Sequence, residues 1–152
     1  MGKKFCNKIW NASRFLMLSL PNSKNIPLPS KLKTLKEAKH LDVTDKKILN
    51  ALEKTIKSVN KNLENFQFGK AAQTLYHFFW HQFCDFYIEK AKEKLAKGST
   101  PQKNQTKKVL LFVLLTSLKL LHPFMPYITE KIYQILPLKN KEESIMIEEW
   151  PQ

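Results

Sequence analysis

The sequence predicts an all-α fold, a helical bundle of about five helices that ends in a short extended C-terminal tail. Apolar residues recur at helical spacing almost throughout, and no run alternates in the manner of a strand. Gly98 and four of the eight prolines fall at the borders of the periodic stretches, where helices start and stop. With 152 residues, 43% of them hydrophobic and 11% aromatic, the chain holds enough material for one domain with a real core, so residues 1 to 152 read as a single unit.

The first helix covers residues 2 to 20, with Phe5, Ile9, Ala12, Leu16 and Leu20 on one stripe and Pro21 as its stop. A polar loop holding Pro27 and Pro29 fills the stretch from 21 to 43. A second helix runs from about Thr44 to Asn65, where Ile48, Leu52, Ile56, Val59 and Leu63 line one side of an otherwise charged segment. The third, Gln67 to Lys97, is aromatic on most of its circumference, as a central bundle helix surrounded by neighbours would be; Gly98 closes it as a C′ residue. Residues 103 to 108, KNQTKK, read as a basic loop overlapping the start of a fourth helix, about Asn104 to Leu121. His122 and Pro123 end that helix, Pro126 opens a fifth as an N1 proline, and Pro137 terminates it. SIMIEEWPQ, residues 144 to 152, reads as extended.

Charge limits the partners. The formal net charge is +13, and residues 1 to 40 concentrate it, with nine basic side chains against one acidic. A polyanion suits such a surface, and nucleic acid comes before a membrane, because no basic amphipathic anchor or lipidation signal is present. The longest apolar run, VLLFVLL at 109 to 115, falls far short of the roughly 20 residues that span a bilayer. Cys6 and Cys84, without a signal peptide, point to a reducing compartment and a cytoplasmic protein.

One short stretch resembles a metal box. In HFFWHQFCD, residues 77 to 85, His77, His81 and Cys84 share a helical face at i, i+4 and i+7. A structural zinc site needs a fourth ligand, and Cys6, His40 and His122 show no paired spacing; a metalloprotease motif would need glutamate where Phe78 stands. The expectation is no metal, with these side chains packed in the core or hydrogen-bonded. A Gly-rich phosphate loop is ruled out because the three glycines are isolated, and no nucleophile elbow surrounds any serine. No catalytic residue is assigned.

The polar side of the first helix carries more information. Lys4, Lys8, Asn11 and Arg14 recur at spacings of four, three and three, so two lysines, an amide and the chain's single arginine share a face. Single-stranded RNA suits such a face: the cations neutralise phosphate, the amide pairs with a base edge, and Arg14 or Phe15 offers a plane to an unstacked base. An ordinary solvated face with Phe15 buried fits the spacing equally well.

KFCNKIWNASRFLM, residues 4 to 17, resembles the opening helix of the anticodon-binding domain of class I aminoacyl-tRNA synthetases, most closely its valyl form. FFWHQFCDFYIEKAK at 78 to 92 is similar to that family's central tract, LHPFMPYITEKIY at 121 to 133 to the junction that follows, and SIMIEEWP at 144 to 151 to its exit segment. The motifs occur in the family's order across essentially the whole chain.

That resemblance implies a domain excised from a longer ligase that attaches valine to tRNA(Val) using ATP. The HIGH-like and KMSKS-like signatures of the catalytic domain have no counterpart here, so this domain is expected to hold no cofactor of its own. Its implied partners are the anticodon stem-loop of tRNA(Val) and the catalytic domain of the same chain, with a monomeric state. By motif position the residues nearest the RNA are Lys8, Asn11, Arg14 and Phe15, then Lys4 and Asn7. Lys4 and Lys8 are assigned to phosphate, Asn11 to base edges, Arg14 to base or phosphate and Phe15 to stacking. One departure stands out: the family commonly starts its second helix Asp-Arg-Trp-Ile-Leu, whereas this chain has Asp45, Lys46, Lys47, Ile48 and Leu49. The competing reading is a basic helical module that binds RNA or acidic proteins without reading sequence.

Overall fold

Capping chemistry sets the helix boundaries. The computed structural model describes residues 2–20, 25–29 and 31–152, so Pro21, the expected stop of the first helix, lies outside the described residues. Helix α1 spans Lys3–Leu18, α2 Leu32–Lys36 and α3 Val43–Glu64. Asp42 and Asp45 form a reciprocal capping box at the start of α3: Asp42 Oδ1 accepts from the Asp45 N–H (2.9 Å) and Asp45 Oδ2 from the Asp42 N–H (3.0 Å). Next come α4 (Phe68–His77), a π-helical segment (Phe78–Ile88) and α5 (Glu89–Lys97), which form one continuous rod. Helix α6 covers Thr100–Leu121 and α7 Pro126–Ile135.

Five long rods therefore make an all-α bundle, and among the described residues the only strand-like pairing is an isolated bridge between Ile26 and Leu138. Several local expectations need correction. The 21–43 loop contains α2, whose Leu35 is buried. Residues 103 to 108 are helical, because Ser99 caps α6 and Pro101 sits in its first turn, where a missing N–H costs nothing. The tail makes a 3₁₀ turn at Ile145–Ile147, buries Ile145 and ties Trp150 Nε1 to Asn60 Oδ1 at 2.7 Å.

Gly98 does not adopt the left-handed C′ conformation: its φ is −73°, and the chain leaves α5 extended. Its need for glycine is steric. A Cβ there would lie 2.6 Å from the Lys94 carbonyl oxygen. The left-handed C′ role falls instead to Phe66 at φ 57°, after α3, where the Gln67 N–H reaches the Asn62 carbonyl (2.7 Å) and the Phe66 N–H that of Leu63 (3.1 Å).

The bundle's centre is α6, not the aromatic third rod. Val109 to Leu114 are buried without a break, as the uninterrupted VLLFVLL run requires once neighbours surround it. Within the third rod, the π segment changes which residues share a face. Hydrogen bonds that reach i+5 bring residues four and five apart into line, so Phe78, Phe79, Phe83, Tyr87 and Ile88 all turn inward. An α-helical wheel leaves Tyr87 on the flank, yet it is fully buried. Its hydroxyl donates to Asp45 Oδ1 at 2.5 Å, and Lys94 Nζ donates to the same oxygen at 2.6 Å, which joins α3 to the far end of the rod. At the departure position, the Lys47 ammonium lies 4.4 Å from the centroid of Phe86, while Ile48 and Leu49 are buried.

Candidate nucleic-acid interface

Helix α1 is amphipathic because its apolar residues repeat at three and four: Phe5, Ile9, Ala12 and Leu16 are buried, and the buried Ser13 hydroxyl is satisfied by the Ile9 carbonyl at 2.8 Å. The remaining arc faces outward. Lys4, Asn7, Asn11 and Arg14 are exposed, whereas Lys8 and Phe15 are half-buried on the flank that meets the third rod. The six residues assigned to RNA thus lie on one side of α1, four of them exposed and two, Lys8 and Phe15, partly covered by the third rod.

They differ in how free they are. Neither Lys4 nor Arg14 takes part in an ion pair among the described residues. Lys8, by contrast, is engaged: its Nζ lies 3.0 Å from Asp85 Oδ1 and 5.1 Å from the Trp80 ring centroid. Phe15 presents its ring to Lys92, whose Nζ stands 5.5 Å from the centroid. The Asp85 carboxyl is held below the usual carboxylate range, chiefly by the hydrogen bond from Lys8 and with help from His81.

The flanking residues escaped the sequence reading. Trp80 and Tyr76 pack around Phe5, with Tyr76 4.8 Å away between centroids, yet both keep part of their rings in solvent. On the other flank Trp10 is partly exposed beneath Lys131 of α7, at 5.6 Å. Rings with adjacent cations along both sides of a basic helix are the elements of a stacking surface. The available signal was the alternation in HFFWH, where two phenylalanines go inward and the residues around them stay out.

The metal box dissolves in three dimensions. His77 and His81 are exposed rather than in the core, with ring centroids 5.2 Å apart, and His81 Nδ1 stands 3.4 Å from Asp85 Oδ2. The wider π turn carries Cys84 away from them into the core, where burial pushes its thiol up to about 12. Among the described residues no group of three or more His, Cys, Asp or Glu side chains is arranged to hold a metal ion. The larger cavity, about 960 Å³ between α2, α3, α6 and the tail, has no lining residue from α1.

A basic, amide-bearing helix flanked by half-exposed rings carries the group types that phosphates and unstacked bases take, and comparison with known proteins gives it a context. Residues 45–152 match the family described as the anticodon-binding domain of tRNA ligase. The chain belongs to that family. Valine–tRNA ligase of Thermotoga maritima is 46% identical over 150 residues, 99% of this chain and 16% of the ligase. The valine–tRNA ligases of Latilactobacillus sakei, at 45% over 148 residues, and Bacillus thuringiensis, at 42% over 147, each share 97% of this chain and 16% of their own length. This anticodon-binding domain therefore spans about a sixth of the length of the ligases it matches, and those relatives are enzymes. No helix among its described residues is long and apolar enough to cross a membrane.

Proposed function

We propose that this domain reads the anticodon stem-loop of tRNA(Val) as part of a valine–tRNA ligase in the cytoplasm. Activation of valine with ATP and its transfer to tRNA belong to the remainder of such an enzyme, with which this domain shares a chain, and the domain itself is monomeric and takes no cofactor. The observation that carries the reading is the outer face of α1, where Lys4, Asn7, Asn11 and Arg14 stand exposed between half-exposed rings on both flanks. Arg14 contacts phosphate or stacks on a base, Asn11 offers an amide to a base edge, and Phe15 supplies a stacking plane.

Binding of this chain to the anticodon stem-loop of valine tRNA tests it, measured by fluorescence anisotropy against the same hairpin with altered anticodon bases. The unaltered hairpin should bind more tightly. Asn11→Ala should reduce that preference, and Arg14→Ala should lower the slope of log K against log salt by about 0.7–0.9, the loss of one phosphate contact. Equal affinity for all hairpins would replace the anticodon reading with the sequence-blind basic module.

A further inference from the structure

Lys8 leaves α1 toward the π segment and, among the described residues, is the one cation of the α1 face that enters an ion pair. Asp85 takes its ammonium at 3.0 Å, Trp80 lies beneath it at 5.1 Å, and His81 Nδ1 sits 3.4 Å from the second oxygen of the same carboxylate. A phosphate approaching this ammonium also approaches Asp85, whose repulsion offsets part of the attraction. An ammonium nevertheless has three donors, and Asp85 occupies one. The Lys8 side chain keeps 31% of its surface exposed, so donor capacity still faces outward. Its rotamers are restricted before any ligand arrives, which lowers the entropic cost of a further hydrogen bond. The charge is partly answered, and the direction is biased toward the third rod.

Resting on the anticodon reading above, we propose that Asp85 is a specificity-determining positioning residue: it anchors Lys8 so that Lys8 donates to an acceptor on a base edge rather than neutralising a phosphate. This reassigns Lys8 from the phosphate role given to it by motif position. Phosphate neutralisation then falls to Lys4 and Arg14, which enter no ion pair among the described residues.

Two variants test the assignment with the valine-tRNA anticodon hairpin and its single-base anticodon variants as probes, each titrated across a range of salt. Asp85→Ala, at a half-exposed helical position, releases Lys8. It should steepen the salt slope by about 0.7–0.9, one additional phosphate neutralised. It should also cut discrimination at one anticodon position by about fivefold or more, toward the loss expected of a base contact. Lys8→Met keeps an apolar stem on Trp80 and should lose the same discrimination with its slope unchanged. The proposal is overturned if Asp85→Ala alters neither quantity, or if Lys8→Met flattens the salt slope by a full phosphate contact. Should the unsubstituted chain show no anticodon preference at all, the functional reading fails first and takes this assignment with it; retained preference in wild type alongside unchanged variants refutes only the role of Asp85.

Discussion

Replacing Lys94 with methionine should destabilise the domain by about 3 kcal/mol, at the lower end of the range for breaking a buried ion pair. Lys94 Nζ lies 2.6 Å from Asp45 Oδ1, 3.0 Å from Thr44 Oγ1 and 3.2 Å from Asp42 Oδ1. The Lys94 side chain is 10% exposed and that of Asp45 is wholly buried, so the substitution strands a carboxylate that water cannot reach. Two donors remain for it, the Tyr87 hydroxyl and the Asp42 N–H, which is why the lower end applies. Methionine retains the apolar stem, so the loss reports the ammonium. For a chain of this size each kcal/mol moves Tm by about 2–4 °C, giving a drop of about 6–12 °C in calorimetry or a matching shift in urea midpoint. In an Asp45→Asn background no charge is stranded, and Lys94→Met should cost about 1 kcal/mol or less, a coupling of about 2 kcal/mol. Equal costs in both backgrounds, or a single-variant cost below about 1 kcal/mol, would show that the pair is solvated and does not fasten α3 to α5.

Further outcomes follow from the same geometry. Phe15→Ala should weaken hairpin binding by about 1–3 kcal/mol, the value of one base stacked on an aromatic ring, while Phe15→Tyr should bind nearly as well; comparable losses in both would argue against stacking. Cys84, its thiol pushed up to about 12 chiefly by burial and also by Asp85 against the opposing pull of Lys8, should resist a thiol reagent at pH 8 until denaturant is added, whereas the partly exposed Cys6 should react in the folded chain. At acid pH, stability should fall as Asp42 and Glu130 take up protons. In Asp42, burial raises the carboxyl but is outweighed by Thr44, the Asp45 N–H and Lys94; in Glu130 it is outweighed by the Ile145 N–H, Ser144 and Gln134. Their folded values lie below the unfolded ones, so this contribution is present above the unfolded carboxylate range near pH 4 and drains away beneath it. At alkaline pH the sign reverses. Burial first, then Asp45 and Glu148 respectively, keep Tyr87 and Tyr133 protonated when unfolded tyrosine ionises, so stability should decline as pH rises past about 10. Urea midpoints across pH check both limbs.

Periodicity alone determined which residues form the core of α1 and most of that of α3, because an amphipathic helix writes its buried face into the chain at intervals of three and four. Proline chemistry placed the end of α6 and both ends of α7 in the same way, although Ser99 and Pro101, which start α6 at Thr100, were passed over in favour of the basic run after them. The exposure of Lys4, Asn11 and Arg14 was legible for the same reason: their position depends on one helix and nothing else. Tertiary structure decided what depends on neighbours or on a change of helical pitch. The π segment turned Cys84 and Tyr87 inward and left His77 and His81 outside, an outcome the 3.6-residue wheel of an α-helix does not give. Partners 77 residues apart in sequence fixed the state of Lys8, since only the packing of α1 against the third rod brings Asp85 to its ammonium. Whether a cation on a helix face is free or already answered is a property of the space around it, and that space is made by segments distant along the chain.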